Sequence, residues 1–223
     1  MAAAELIVLF LFVINGIFHL LNEAYELESQ RIIKVITKSL IIPLIVIFYI
    51  LATENINPLI VVGLIFGLSG DVFLLNKQKK KNFIFGLGSF LLGHVIYIVA
   101  FLTSINYEDA YSSGLILVVV ASLLLVIFLV WALRGNLGGL KIPVIVYSII
   151  LSFMSISAFM VATSPSGGFE GRGWLCYAGS ILFLCSDGIL AWTYFKAKFK
   201  HFNVIVMATY MTAQLLIAYG YIN

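Results

Sequence analysis

The sequence predicts an all-α protein: a polytopic membrane helix bundle with eight transmembrane helices and with its N- and C-termini outside. Three observations carry that prediction. The chain is 62% hydrophobic and only 10% charged, whereas a soluble domain carries roughly a quarter charged residues. Most of its exterior must therefore face lipid. Its apolar residues fall into eight runs, each near the ~20 residues that carry a helix across about 30 Å of hydrocarbon. Its basic residues crowd into alternate loops. The length of 223 residues, with no linker long enough to separate two units, predicts a single domain over residues 1–223.

The spans are expected at 5–23, 32–51, 58–76, 83–103, 113–133, 141–162, 173–195 and 202–222. The stretch Met1 to Glu5 has no basic residue ahead of the first apolar run, so that run reads as a helix of the mature protein rather than a cleaved signal peptide. Asn57-Pro58 punctuates the start of the third helix. Asn76-Lys-Gln-Lys-Lys-Lys-Asn82 forms a basic turn before the fourth, and Arg134-Gly-Asn-Leu-Gly-Gly139 forms a glycine-rich turn before the sixth. Thr163-Ser-Pro-Ser-Gly-Gly168 is the clearest loop signal, before the seventh.

The charges test this count. Arg31, Lys34 and Lys38, then Lys77, Lys79, Lys80 and Lys81, then Arg134 and Lys141, then Lys196, Lys198 and Lys200 all fall near alternate loops. Together they are twelve of the thirteen basic residues, leaving only Arg172 on the other side. One missed helix would scramble this split, so it supports an even number, with the basic loops cytoplasmic in a cell membrane. Glu54, Glu108, Asp109 and Glu170 fall outside. Trp131 and Trp192 near inner ends, and Trp174 near an outer end, suit an interfacial belt. The basic residues thus report topology, and no nucleic-acid partner is expected. Cys176 and Cys185 are about 13 Å apart along one helix, beyond disulfide reach. They are too few for a zinc site and read as small packing residues.

In lipid the informative residues are polar ones at depth. A charge at the bilayer centre costs at least ~2.5 kcal/mol. Asp71 and Asp187 lie well inside their spans, both toward the cytoplasmic ends, Asp187 the deeper. They must face the bundle interior or a wet cavity, either as functional carboxylates or as buried groups tied to a lysine or tyrosine. His94 lies near mid-span with Tyr97 on the same face, and reads equally as a packing residue. Gly86 and Gly93 let another helix approach closely. Tyr210 and Gln214 share a face of the last helix and suit interhelical hydrogen bonding as well as a site. Lys38 can snorkel, hold a phosphate or pair with an aspartate. Asn15 and His19 share a face of the first helix, His19 at the interface as an ordinary residue there. His201 belongs to a basic loop. With so few histidines at depth, no metal site and no cofactor is expected. Gly63 to Asp71 and Gly179 to Asp187 each place an aspartate eight residues after a glycine, as a parallel four-plus-four duplication or a chance match would do.

Four segments resemble the YhhN/TMEM86 family of integral membrane lysoplasmalogenases. They are Gly67-Leu-Ser-Gly-Asp71-Val-Phe-Leu-Leu75, Phe85-Gly-Leu-Gly-Ser-Phe-Leu-Leu-Gly-His94-Val-Ile-Tyr97, Gly179-Ser-Ile-Leu-Phe-Leu-Cys-Ser-Asp187 and Thr209-Tyr210-Met-Thr-Ala-Gln214-Leu-Leu-Ile217. One departure lies in the second helix. The family has proline directly after its lysine, whereas Lys38 precedes Ser39 and proline comes at Pro43. The resemblance implies cleavage of the vinyl ether bond of a lysoplasmalogen, a lysophospholipid substrate drawn from membrane lipids. The products are a fatty aldehyde and a glycerophospho-ethanolamine or -choline. Protonation of the alkene carbon gives an oxocarbenium-like cation, water adds, and the hemiacetal collapses. A carboxylic acid can deliver the proton, and a second carboxylate can stabilise the cation and activate water, as in glycosidases. On this reading Asp187 is the acid and Asp71 the base, an assignment that can be reversed. His94, Tyr97, Tyr210 and Gln214 orient substrate, water or carboxylates, and Lys38 meets the phosphate.

Other classes use similar features. A proton- or cation-coupled small-molecule transporter also pairs parallel repeats with intramembrane carboxylates. An intramembrane aspartyl protease needs glycine where Leu68 stands, and no Pro-Ala-Leu segment follows.

Overall fold

The computed structural model describes residues 3–25, 31–76, 79–105, 107, 114–164 and 171–222. Among these residues the chain forms eight α-helices: α1 (Ala3–Tyr25), α2 (Arg31–Ala52), α3 (Pro58–Leu74), α4 (Lys80–Thr103), α5 (Gly114–Leu133), α6 (Lys141–Thr163), α7 (Gly173–Phe195) and α8 (Phe202–Gly220). A short 3₁₀ turn, Gly138–Leu140, leads into α6. Every boundary falls within three residues of its expected place, because each apolar run must satisfy its backbone internally and a helix does so without a partner. The largest shift is at α4. It begins at Lys80, so Lys80 and Lys81 form its exposed first turn, as lysine's good helix propensity permits. Lys77, Glu108, Asp109, Glu170 and loop residues 165–168 lie outside the described residues, as does the Arg31 side chain.

Seven of the helices are long and apolar enough to cross a membrane, and the chain is a multi-pass membrane protein. The remaining one, α3, is apolar but has 17 residues, about 25 Å of rise, the short end of the spanning range. Asn57 starts it by accepting the Leu59 N–H on its side-chain oxygen at 3.0 Å, with Pro58 at the first helical position, where its missing N–H costs nothing. α2 runs on through Pro43. Proline has no N–H to donate, so the Ser39 carbonyl loses its helical partner.

The bundle is apolar outside and polar within. Phe10, Ile116, Leu117, Leu124 and Ile127 are exposed, while Asp71, His94 and Gln214 are buried. α5 is the most outward helix, burying only Ser122 and Leu133. α3 packs on α4 and α7 on α8 through glycines. A Cβ on Gly93 would sit 3.3 Å from the Gly63 carbonyl, and one on Gly179 would sit 2.9 Å from the Ala213 carbonyl. The two halves share most of one packing scheme, although α1 also packs on α8 with no comparable packing of α5 on α4 among the described residues. α1 lies on α2 and α2 on α3, as α5 lies on α6 and α6 on α7. Across the middle, α2 meets α8 as α6 meets α4, the arrangement a parallel duplication generates.

Candidate functional site

α3 and α7 run in the same direction, so their C-terminal halves bring Asp71 and Asp187 to the same end of the bundle. Both carboxylates line one cavity of about 1780 Å³, open mouth included. The lysines Lys34 and Lys38 of α2 and Lys198 after α7 line it too.

Asp71 is 3% exposed. Its Oδ1 lies 3.2 Å from the Lys38 ammonium, the aspartate pairing that is one of the three options for that lysine. The Tyr210 hydroxyl interacts with the same carboxyl. The other oxygen, Oδ2, is buried with no hydrogen-bond partner among the described residues. Tyr210 is held in turn by Gln214, whose Nε2 donates to the tyrosine oxygen at 3.4 Å. The Tyr97 hydroxyl donates to Gln214 Oε1 at 2.6 Å. A hydrogen-bonded chain therefore runs from Tyr97 at mid-depth to Lys38 at the cavity wall.

Asp187 belongs to a second network. The Tyr147 hydroxyl donates to its Oδ2, and His94 Nε2 lies 3.0 Å from that hydroxyl and 3.5 Å from Oδ2. Tyr147 has one hydroxyl hydrogen, given to Asp187, so its oxygen must accept from His94 Nε2–H. The other ring nitrogen, His94 Nδ1, is buried and without a partner among the described residues. Phe183 fixes the imidazole by an edge-on contact at 4.8 Å. His94 and Tyr97, expected on one face, thus serve separate networks: the histidine turns to α6 and α7, the tyrosine to α8.

The two networks mirror each other. In each, an aspartate of a third helix (α3 or α7) takes one partner from the second helix of its own half, Lys38 or Tyr147. It takes another from the fourth helix of the other half, Tyr210 or His94.

A second pocket, about 760 Å³ with its open side included, lies between α4, α5, α6 and α7 and is almost wholly apolar. Leu74, Phe90, Asp187 and Leu190 line both cavities. Asp187 therefore stands in a wall with a charged chamber on one side and a hydrocarbon-like one on the other.

Sequence reasoning missed Tyr147. A tyrosine six residues into α6 reads as an interfacial belt residue. Its signal was the polar face it shares with Ser148, Ser152 and Ser155 at helical spacing. His19 is a correction: it is fully buried, with Nδ1 2.9 Å from Thr37 Oγ1, because α1 leans its polar face onto α2. Cys176 is buried and Cys185 exposed, and both are free. His201 is exposed and caps α8 with φ of 59°.

The fold and site define a multi-pass membrane protein that gathers two aspartate carboxylates and three lysines around a cavity open at one end of the bundle, with a buried histidine behind the second carboxylate. The chain belongs to the YhhN family, whose model matches residues 33–221. It is similar to rat lysoplasmalogenase TMEM86B (Rattus norvegicus), with 32% identity over 66% of this chain and 54% of the relative. It is similar to the lysoplasmalogenase of Mycobacterium tuberculosis, with 32% identity over 73% of this chain and 59% of that protein. Cattle lysoplasmalogenase TMEM86A (Bos taurus) is 29% identical over 71% of this chain and 63% of the relative. The chain thus spans a little over half the length of the curated relatives it matches. No solved structure matches it significantly.

Proposed function

We propose that this protein is a lysoplasmalogenase that hydrolyses the vinyl ether bond of a lysophospholipid within the membrane. The observation that carries the reading is the position of Asp187 in the wall shared by a charged and an apolar cavity. A vinyl ether is the junction between a polar glycerophosphate and a hydrocarbon chain. A lysolipid with its headgroup in the charged chamber and its chain in the apolar one presents that bond to Asp187. The names of the relatives support a hydrolase over a transporter.

Asp187 delivers a proton to the alkene carbon, and the developing oxocarbenium ion is stabilised by the remaining carboxylate charge. Tyr147 and His94 hold the carboxyl in place. Water then adds to the cationic carbon and gives up its proton to Asp71, whose Oδ2 is free to accept it. The hemiacetal then collapses to a fatty aldehyde: its hydroxyl proton returns to Asp187, the C–O bond to the glycerol breaks, and the proton held by Asp71 passes to the leaving oxygen of a glycerophospho-ethanolamine or -choline. Tyr97, Gln214 and Tyr210 fix the Asp71 carboxyl, and Lys38 pairs with it at the side where the phosphate enters. All eight helices span the cell membrane, with the basic loops cytoplasmic and both termini outside. The cavity then opens toward the inner leaflet.

The test is fatty aldehyde release from a lysoplasmalogen by purified, detergent-solubilised protein, with Asp187→Asn alongside. Aldehyde from the wild type alone is the expected result. No aldehyde from folded wild type overturns the activity, and equal release by both proteins overturns the role of Asp187.

A further inference from the structure

The mouth of the charged cavity holds an ion pair that the hydrolytic chemistry does not use. Glu23, near the end of α1, is 6% exposed, and its Oε2 lies 2.6 Å from Nζ of Lys34 on α2. Both residues line the cavity. Behind Glu23, α1 is tied to α2. Asn15 Nδ2 donates to the Thr37 carbonyl at 2.8 Å, and His19 Nδ1 lies 2.9 Å from Thr37 Oγ1. These two contacts set the register of α1 on α2. The other imidazole nitrogen, Nε2, faces Glu23 Oε1 at 3.9 Å.

Two pairs of opposite charge line the chamber, Glu23 with Lys34 and Asp71 with Lys38, and Lys198 and Asp187 line it beside them. Such a lining suits a zwitterion better than a simple anion, because an anion would meet the carboxylates of Glu23 and Asp71 at close range. Lys34 and Lys38 are four residues apart on one face of α2, about 6 Å along the axis, and Lys34 is the nearer to the helix end. From the mouth inward the order is Glu23 with Lys34, then Lys38 with Asp71, then Asp187.

We propose that Glu23 and Lys34 are the headgroup receptor of a zwitterionic lysophospholipid, Glu23 taking the cationic amine and Lys34 with Lys38 taking the phosphate. The proposal deepens the hydrolase reading and takes from it the direction in which the lipid lies. The headgroup opens the Glu23–Lys34 pair and gives each residue a new counter-charge, so the buried Glu23 is not left unpaired. A phosphoglycerol headgroup, with no amine, supplies only the phosphate and leaves Glu23 facing it. The site therefore selects ethanolamine or choline lipids.

The test uses the full chain in detergent and two uncleavable probes, saturated 1-alkyl lysophospholipids with ethanolamine and with glycerol headgroups. Binding is measured for wild type, Glu23→Gln and Glu23→Asp, and aldehyde release is measured from the matching 1-alkenyl lipids. Wild type is expected to prefer the ethanolamine probe. Glu23→Gln should erase about tenfold of that preference, the scale of one charge-assisted contact, by weakening the ethanolamine probe alone. Glu23→Asp, which keeps the charge, should retain part of it. Equal binding of both probes by wild type, or equal weakening of both by Glu23→Gln, overturns the proposal and makes Glu23 a clamp between helices. Headgroup-dependent binding without aldehyde would remove the hydrolase and leave the receptor standing.

Discussion

Tyr147 donates its hydroxyl hydrogen to Oδ2 of Asp187, tying α6 to α7 at the wall between the two cavities. His94 bonds to the same hydroxyl at 3.0 Å, so the aspartate is held through two side chains from two helices. Removing the hydroxyl leaves the carboxyl free to turn. Tyr147→Phe should lower kcat by about 10²-fold, the cost of an ångström-scale misplacement, with little change in KM. The stability loss should be about 1 kcal/mol, one hydrogen bond. Steady-state aldehyde release and a thermal melt measure both. A kcat equal to wild type would show that Asp187 needs no such support.

The carboxylates themselves should be indispensable. Asp71→Asn and Asp187→Asn keep the shape of each side chain and remove its proton chemistry. Each should cost at least about 10²-fold in kcat/KM. Activity surviving intact in both would end the two-carboxylate mechanism.

Helix spacing should matter at one glycine and not at another on the neighbouring helix. A Cβ at Gly67 would stand 2.6 Å from Gln214 Nε2 and 3.1 Å from the Tyr210 hydroxyl, whereas one at Gly88 meets nothing within 4 Å. Gly67→Ala should push apart the chain that runs from Tyr97 to Asp71, lowering both activity and Tm. Gly88→Ala should match wild type in both. Identical behaviour of the two variants would break the link between this packing and the site.

The apolar cavity should set chain length. Leu129 lines it from α5. Leu129→Trp fills part of the space, so activity on long-chain lysolipids should fall about tenfold or more relative to short-chain ones, in keeping with the 1–3 kcal/mol cost of overpacking. An unchanged chain-length profile would place the hydrocarbon elsewhere.

Orientation is open to labelling. In a Cys185→Ala background, a cysteine at Lys200 should react with an impermeant thiol reagent only from the cytoplasmic face, and one at Glu54 only from the opposite face. The reverse pattern would invert the topology, and labelling of both from one face would break the count of spans.

The sequence by itself determined the helices. Apolar runs of spanning length have no other way to satisfy their backbone in lipid, so the ends of α2, α5, α6 and α7 fall within a residue of where composition places them. It also marked Asp71, Asp187, His94, Gln214 and Lys38, because a polar residue at depth stands out against a hydrocarbon background. Pairing was another matter. That Lys38 meets Asp71, that His94 leaves Tyr97 for Tyr147 and Asp187, and that Glu23 stands at a cavity mouth all depend on how helices rotate and cross. Helix crossing is fixed by small residues and close approach, such as Gly93 on Gly63 and Gly179 on Ala213, spread over distant positions of the chain. Tyr147 shows the limit most clearly. On its own helix it is an ordinary amphipathic side chain near an end. Only the fold brings it within reach of a residue forty positions away, where one hydroxyl comes to hold a carboxylate at the cavity wall.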